Sequence, residues 1–208
     1  RSGTGFVGAY VIRDLVNAGY RVRALKRKPS LPAYISPGIF DKVEWFTCDI
    51  LDPAGLEEAM ENIDGVIHAA AKVSFLEKER IEMFTTNTEG TANVVNAALQ
   101  QNIRKFIHVS SVAALGRKQN GQVVDESHKW ENSKLNTPYS ISKYQGEIEV
   151  WRGIAEGLNA VIVNPSTIIG YGDWNTTSCA LFKTVYDGFP WYTNGINGFV
   201  DVENVSAA

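Results

Sequence analysis

The sequence of 208 residues contains little of what marks several classes of protein. Its two cysteines, Cys48 and Cys179, lie far apart and outside any Cys-x-x-Cys motif, which is typical of a reducing compartment and predicts a cytoplasmic protein. The three histidines lack the spacing of metal ligands, so we expect no metal site. No apolar run is long enough to span a bilayer, and no signal-peptide pattern opens the chain. The formal net charge of -3 does not favour nucleic-acid binding.

What the sequence does contain is apolar segments of alternating type. Hydrophobic residues make up 44% and charged residues 21%, a balance typical of globular proteins. Short runs of buried type alternate with longer segments of helical period, which predicts an α/β fold with a Rossmann-type, doubly wound parallel sheet. Ligands of such folds bind beyond the carboxyl ends of the strands. The predicted strands are 21–25, 43–48, 65–71, 105–110, 160–164 and one near 199–202, and the predicted helices are 7–18, 53–62, 80–100 and 139–157. Gly19 is expected to end the first helix, and Asp52 and Pro53 to start the second as N-cap and first helical residue.

Both ends of the sequence suggest part of a longer fold. Only two residues precede the first glycine-rich segment, where a phosphate-binding turn needs a strand that leads into it. We therefore expect the first strand of the sheet to be absent. Residues 1–170 are predicted to form the dinucleotide-binding domain, and residues 171–208 to begin a substrate-binding region whose small C-terminal lobe is largely missing.

A glycine-rich segment, Gly-Thr-Gly-Phe-Val-Gly at residues 3–8, directly precedes the first predicted helix. Glycine lets the backbone approach a pyrophosphate closely, and the helix that follows offers free N–H groups and the positive end of its dipole. A generic turn before a helix is the alternative interpretation. The strands and helices that follow favour the dinucleotide site, with Gly5, Phe6, Val7 and Gly8 against the cofactor.

The end of the next strand indicates which dinucleotide is bound. An acidic residue at this position binds the ribose 2′-hydroxyl of NAD, but here the strand is followed by Lys26, Arg27 and Lys28. An arginine can form a bidentate, charge-assisted contact with a 2′-phosphate, so NADP is predicted, with NAD as the alternative. A solvated basic loop is the other interpretation of these residues. Asp49 and Ile50, after the following strand, are expected to flank the adenine, with Asp49 accepting a hydrogen bond from its amino group.

Three side chains suit proton transfer to or from a carbonyl oxygen. Tyr139 and Lys143 are one helical turn apart and share a helix face, and Ser111 follows a predicted strand. A nearby cation lowers the pKa of a phenol, which makes tyrosine a usable general acid or base near neutral pH. A Tyr-x-x-x-Lys pair alone is more often an ordinary exposed pair on a helix. The glycine-rich segment and the order of strands and helices favour the catalytic interpretation here.

Together these motifs resemble the extended short-chain dehydrogenase/reductase (NAD-dependent epimerase/dehydratase) family, and within it the dihydroflavonol-4-reductase-like branch. The resemblance covers essentially the whole chain. Its residues are 3–8, 49–50, 68–71, 87–91, 109–111, 116, 138–143 and 164–166, with 22–27, 71–75, 125–127 and 130 for the branch. The chain departs from the family's turn at Arg1 and Ser2, where threonine and glycine belong. Asn164 stands where many sugar-nucleotide enzymes of the family have arginine, which argues against such a substrate.

The resemblance implies a bound nicotinamide that carries a hydride and a protein that supplies the proton. It implies that Tyr139 donates this proton to the carbonyl oxygen and that Ser111 hydrogen-bonds the same oxygen. Lys143 would lower the Tyr139 pKa and hold the nicotinamide ribose. Ser111 is preferred over Ser110 because it lies five residues before Gly116; a strand-end cap is the alternative role of both serines. The implied cofactor-binding residues are Gly5, Phe6, Val7, Gly8, Arg27, Asp49, Ile50, Ala69, Ala70, Ala71, Val109, Tyr139, Lys143, Pro165 and Ser166.

The leading hypothesis is an NADP-dependent oxidoreductase that reduces a ketone or aldehyde. A nucleotide-sugar epimerase or dehydratase with tightly held NAD is the first alternative, and a non-catalytic NADP-binding sensor is the second. The substrate is accordingly a small carbonyl compound or a sugar nucleotide, with specificity expected from loops 117–130 and 171–177. Family members often dimerise through the helices predicted at 80–100 and 139–157, so we expect a homodimer. Asn87 is expected to have a structural role in the first of these helices.

Overall fold

The computed structural model describes residues 3–116, 124–125, 127–128, 130–191, 194 and 196–208. Arg1, Ser2 and most of the loop 117–130 therefore lie outside the described residues, and so does Glu126 of the segment 125–127. The described residues fall into two compact units. Thr47–Asn164 form one unit, and the residues up to Phe46 together with Pro165–Ala208 form the other.

Helices and strands alternate along the described residues, as the sequence predicts. In chain order, the helices are α1 (Phe6–Asn17), α2 (Pro37–Phe40), α3 (Pro53–Ala59), α4 (Arg80–Phe84), α5 (Gly90–Gln100), α6 (Pro138–Ala155), α7 (Ala180–Tyr186) and α8 (Val202–Ala207). The strands are β1 (Val22–Lys26), β2 (Val43–Thr47), β3 (Gly65–His68), β4 (Lys105–Val109), β5 (Ala160–Val163), β6 (Thr167–Ile169) and β7 (Phe199–Asp201). Within the part of the chain that the structure describes, no helix combines the length and the apolar character needed to cross a membrane.

Two helix starts follow directly from capping chemistry. The Asp52 carboxylate accepts a hydrogen bond from the Gly55 N–H (3.1 Å) where α3 begins, and Pro53 takes the first helical position, as predicted. At α6, the Thr137 hydroxyl accepts a hydrogen bond from the Ser140 N–H at 3.2 Å. This second cap fixes the point at which the chain enters the helix that carries the Tyr-x-x-x-Lys motif.

In the unit Thr47–Asn164, strands β3, β4 and β5 form a three-stranded parallel sheet in that order. The register places His68 opposite His108 and Val109 opposite Val163. The carboxyl ends of β4 and β5 therefore lie side by side at one edge, which is where parallel sheets bind their ligands. The largest fully buried apolar side chains of this unit are Leu56, Met83, Val95, Phe106 and Val150.

The helix predicted at 80–100 contains a π-helical turn, Thr85–Glu89, between α4 and α5. Apolar spacing predicts a regular helix here and does not reveal the wider turn, which is a feature often found at functional sites. Asn87 lies within this turn and is only 2% exposed. Helix α6 passes so close that a Cβ atom on Gly146 would lie 2.4 Å from the Asn87 carbonyl oxygen. Only glycine fits at that position.

The other unit is built around α1. The α1 core residues Ala9 and Ile12 pack in one cluster with Ala24 of β1, Phe40 of α2 and Val202 of α8. Strand β1 pairs with β2, and β6 pairs in parallel with β7, which confirms the strand predicted near residues 199–202. The chain leaves α1 through a glycine of positive φ, as predicted for this C-terminal position.

Candidate active site

Ser111 lies where β4 ends and begins the 3₁₀ turn that follows. Its hydroxyl oxygen caps this turn by accepting a hydrogen bond from the Ala113 N–H at 3.2 Å. The same side chain interacts with the Tyr139 phenol and acts to lower its pKa. Ser110 points to a different partner, because its hydroxyl donates to Glu147 Oε2 at 2.7 Å. Ser111 is therefore the serine that contacts the phenol, and the capping role and the site role occur in one residue.

The electrostatics of Tyr139 differ from the prediction. Burial raises the pKa of Tyr139, and the hydrogen bond with Ser111 offsets this only in part. From the sequence a lowered pKa is predicted, on the ground that Lys143 lies one turn away. That prediction is wrong because desolvation of the phenolate outweighs the other influences on this buried phenol. Tyr139 is therefore a neutral phenol near neutral pH, which is the form that donates a proton.

Lys143 lies in the interior, with 4% of its surface exposed. Its Nζ atom donates a hydrogen bond to the Val109 carbonyl oxygen at 3.3 Å, at the carboxyl end of β4. Burial lowers the pKa of Lys143 to about 8, and the nearby Glu147 carboxylate opposes this by raising it. Lys143 thus changes its charge close to neutral pH, a property that recurs at functional sites.

Asn87 ties two segments of the site together. Its Nδ2 atom donates to the Lys72 carbonyl (2.9 Å) and to the Ser142 hydroxyl (2.9 Å), while its Oδ1 accepts from the Lys72 N–H (2.8 Å). The Ser142 hydroxyl in turn donates to the Tyr139 carbonyl oxygen at 2.8 Å. Asn87 therefore holds the segment after β3 against the first turns of α6. These contacts support the structural role that is expected of Asn87 from the sequence.

Two buried histidines lie behind the site on neighbouring strands, with ring centroids 5.1 Å apart. His68 bonds through Nε2 to the Thr91 hydroxyl oxygen at 3.0 Å, and burial lowers its pKa to about 3. Neither ring nitrogen of His108 has a hydrogen-bond partner among the described residues, and burial lowers its pKa well below the usual range. Both rings are therefore neutral. No role is predicted for them from the sequence, which carries no signal for one apart from their place on buried strands.

Phe75 presents an apolar surface beside Tyr139. It is 77% exposed, and its ring meets the Tyr139 ring edge-on with centroids 6.1 Å apart. Nearby on α6, Tyr144 stacks on Trp130 with centroids 4.2 Å apart and nearly parallel planes. In the sequence, the segment around Phe75 serves only as a mark of the branch, so its place beside Tyr139 is information that the structure adds.

Several predicted cofactor residues belong to the same unit. Ala69, Ala70 and Ala71 follow β3, and Val109 ends β4. Asp49 accepts a hydrogen bond from the Leu51 N–H at 3.1 Å through Oδ1. Ile50 is buried, and its side chain packs so tightly on α5 that a Cβ atom on Gly90 would lie 2.6 Å from it. The side chain of Ile50 therefore serves the core, whereas Asp49 is partly exposed.

The remaining predicted cofactor residues belong to the other unit. Gly5 is the N-cap of α1, no side chain caps this end within the described residues, and the first turn carries no acidic residue. These features fit an anion such as a pyrophosphate, since the N–H groups of Phe6, Val7 and Gly8 are the ones that a helix leaves without internal partners. Arg27 directly follows β1 and is exposed. Pro165 and Ser166 lead into β6.

Comparison with known proteins places the chain in a family. Residues 3–187 match the NAD dependent epimerase/dehydratase family, and the chain belongs to this family. The predicted membership of the extended short-chain dehydrogenase/reductases, in their dihydroflavonol-4-reductase-like branch, is confirmed by the match and by the chain's relatives.

Two relatives illustrate the branch. A protein of Synechocystis sp. with a provisional assignment as a dihydroflavonol 4-reductase is 36% identical over 207 residues, which cover 99% of this chain and 59% of that protein. Cinnamoyl-CoA reductase 1 of Petunia hybrida is 29% identical over 219 residues, which cover 98% of this chain and 65% of that protein. The chain thus spans about three fifths of the length of these relatives.

Solved structures confirm the Rossmann-type α/β fold. The structure of gox2253 is 33% identical with a TM-score of 0.86, over 99% of this chain and 62% of that one. The UDP-glucose 4-epimerase of Thermus thermophilus, solved in complex with NAD, is 25% identical with a TM-score of 0.78, over 99% of this chain and 70% of that one.

Proposed function

We propose that this chain carries the cofactor-binding and proton-transfer parts of an NADP-dependent reductase that acts on ketones or aldehydes. The observation that carries the proposal is the interaction of Ser111 with the partly buried Tyr139, which acts to lower the pKa of the phenol against the larger effect of burial, with Lys143 buried one turn further along α6. Relatives named as reductases support the direction of the reaction. In this proposal residues 1–170 bind the dinucleotide, and residues 171–208 begin the substrate-binding region.

The roles of the three side chains follow from their environment. When bound, the nicotinamide supplies a hydride to the carbonyl carbon. Tyr139 donates its phenolic proton to the carbonyl oxygen, so that the product is an alcohol. The Ser111 hydroxyl donates a hydrogen bond to the same oxygen and stabilises the negative charge that develops there. The Lys143 ammonium then stabilises the phenolate that remains on Tyr139, and it is the group we assign to the nicotinamide ribose.

The cofactor preference is assigned to Arg27. A guanidinium that directly follows β1 is suited to a bidentate contact with a 2′-phosphate, whereas a carboxylate there would favour the ribose hydroxyl of NAD. Lys26 contributes less, because its Nζ atom lies over the Trp45 ring, 5.0 Å from the centroid. We therefore infer that NADP is the preferred dinucleotide.

Oxidation of NADPH in the presence of a panel of ketones and aldehydes tests the proposal. We expect the Tyr139→Phe variant to lose about 100-fold or more in kcat, since a positioned general acid contributes on this order. Tyr144→Phe is the matched control, because it removes a phenol from the same helix without touching Ser111. Equal rates for wild type and Tyr139→Phe would refute the role of Tyr139.

A nucleotide-sugar epimerase with tightly held NAD is the second candidate. The likeness to an epimerase solved with NAD favours it, while Asn164 in place of the family's frequent arginine disfavours it. This candidate predicts that NAD copurifies with the protein and that no reductant is consumed. The mass of the cofactor released on denaturation, together with NADPH consumption, distinguishes the two. Release of NAD without NADPH turnover would replace our proposal with the epimerase.

A homodimer through the helices α4, α5 and α6 is part of the proposal. Ile81 on α4 is 82% exposed and Ile148 on α6 is 44% exposed. Apolar side chains at such exposure are typical of an interface once they form one patch. Light scattering after size exclusion measures the mass in solution, and a mass equal to one chain at micromolar concentration would contradict the dimer.

A further inference from the structure

Glu147 is a buried carboxylate that has no part in the reaction described above. It lies on α6 one turn after Lys143 and is 8% exposed. Oε2 of Glu147 accepts hydrogen bonds from the Ser110 hydroxyl at 2.7 Å and from Asn164 Nδ2 at 2.9 Å, and Oε1 accepts from Trp151 Nε1 at 3.3 Å. Three donors on one buried carboxylate indicate a selected position, since a buried charge without partners is strongly destabilising.

The donors connect separate elements. Ser110 directly follows β4, and Asn164 directly follows β5, so the carboxylate joins α6 to the carboxyl ends of two neighbouring strands. Asn164 Nδ2 also donates to the Ser111 carbonyl oxygen at 3.0 Å. Glu147 therefore reaches the backbone of Ser111 through a single intervening side chain. The position of the Ser111 hydroxyl depends on this connection.

The same carboxylate acts on Lys143 through its charge. The titratable groups that interact with Lys143 are Glu147 on α6, His68 on β3 and His108 on β4, and Tyr139 lies one turn before Lys143 on α6. The two histidines are neutral because of burial, and Tyr139 is a neutral phenol. Glu147 supplies the negative charge that favours the ammonium form of Lys143.

We propose that Glu147 is a positioning residue of the active site, one that fixes the ends of β4 and β5 against α6, one turn away from Lys143. This inference rests on the proposed function, because it takes Ser111 and Lys143 as the groups to be positioned. The charged form of Lys143 is present below its pKa of about 8 and is lost as the pH rises through that value. Glu147 raises this pKa, so removing its charge moves the loss to lower pH.

The test compares three variants of the whole chain in NADPH-dependent carbonyl reduction, followed as kcat/KM against pH. Glu147→Gln removes the charge, and we expect kcat/KM at pH 7 to fall by up to about 100-fold, the size of effect that small displacements of reacting groups produce. We expect its alkaline limb to move to lower pH. Trp151→Phe is the matched control, since it removes one donor and keeps both the charge and the contacts of Oε2; its alkaline limb stays where it is in wild type. Glu147→Asp restores the charge on a shorter side chain. We therefore expect its alkaline limb to lie at the same pH as in wild type, while its kcat stays low.

Each outcome bears on the inference. An unchanged pH profile in Glu147→Gln, or the same shift in Trp151→Phe, would overturn it. If Glu147→Gln does not fold by circular dichroism, Glu147→Asp decides, and wild-type kcat in that variant overturns the positioning role. Failure of both variants to fold would assign Glu147 to stability alone. If wild type itself neither binds NADPH nor reduces any carbonyl compound, the proposed function fails, and an NMR titration of Lys143 in wild type and Glu147→Gln still tests the effect of the charge. If the pKa of Lys143 were not lower in Glu147→Gln than in wild type, the proposed effect of the charge would be refuted.

Discussion

Two regions of the molecule are proposed to act on ligands by different means, one through buried side chains and the other through exposed groups. The proposed proton-transfer region, which comprises Ser110, Ser111, Tyr139, Lys143 and Glu147, contains three buried side chains, since Ser110, Lys143 and Glu147 are 6%, 4% and 8% exposed. The proposed phosphate region, which comprises residues 3–8 and Arg27, offers backbone N–H groups at the start of α1 and an exposed cation after β1.

The difference teaches which interactions require burial. Proton transfer depends on pKa values and on positions held to a fraction of an ångström, and both are set most strongly where water is excluded. An anion can be held by a helix N-terminus and an exposed arginine without a buried network. Changes in the proton-transfer region should therefore alter kcat and stability, and changes in the phosphate region should alter cofactor affinity alone.

The largest expected effect breaks the buried region at the contact between α6 and the π-helical turn. Gly146→Ala places a Cβ atom 2.4 Å from the Asn87 carbonyl oxygen. We expect the free energy of unfolding to fall by about 3 kcal/mol, since overpacking against backbone costs this much, and activity to fall with it. Gly38→Ala in α2 is the control, because its Cβ atom would make only an ordinary contact, 4.0 Å from the Ser36 Oγ atom. Urea denaturation of both variants measures the difference, and equal midpoints would contradict the close approach.

A substitution of Lys143 should change the free energy of unfolding by less than Gly146→Ala does, and in the opposite direction. The folded protein lowers the pKa of Lys143 from 10.5 to about 8, so the unfolded chain binds this proton more tightly. Burial of Lys143 therefore lowers the stability of the fold, fully below pH 8 and by less and less as the pH rises towards 10.5. This fall in the pKa corresponds to about 3 kcal/mol at pH 7, and the hydrogen bond to the Val109 carbonyl that the substitution removes is worth about 1 kcal/mol. Lys143→Met should therefore stabilise the fold by about 2 kcal/mol at pH 7 and by less at pH 10, while abolishing reduction. Thermal denaturation at the two pH values checks this, with Lys105→Met, an exposed position, as the control. A destabilised Lys143→Met variant would show that the ammonium supports the fold.

The smallest effect is expected from a substitution of Arg27 in the exposed region, which should change cofactor affinity without changing stability. Arg27→Ala should weaken NADPH binding about 10-fold, the size of one charge-assisted contact, with NADH binding and the melting temperature unchanged. The control is Lys28→Ala, next along the same loop, which should leave the binding of both NADPH and NADH unchanged. Cofactor titrations followed by protein fluorescence measure the six dissociation constants of wild type and the two variants for NADPH and NADH. Equal losses for NADPH and NADH would remove the assignment of Arg27 to the 2′-phosphate.

Much of the fold was predictable because hydrophobic periodicity, and the turn and capping residues that end helices and strands, are local properties of the sequence. The strand at 105–110 and the helix starting near Pro138 were evident from apolar runs and turn residues, and the caps at Asp52 and Gly19 were recognisable one residue at a time. The π-helical turn was missed because the apolar spacing of 80–100 is compatible with a regular helix. The short strand β6 was missed because three residues carry too little pattern.

The sequence by itself determined the set of candidate reacting groups and the face of α6 on which Tyr139 and Lys143 lie, because a separation of four residues on a helix dictates proximity. Glu147, four residues beyond Lys143, was within reach of the same reasoning. Only the tertiary structure decided which serine contacts the phenol, which partners Glu147 binds, and that the pKa of Tyr139 is raised and not lowered. These properties depend on burial and on strand ends from distant parts of the chain, and desolvation is a property of the packed interior that no local pattern encodes.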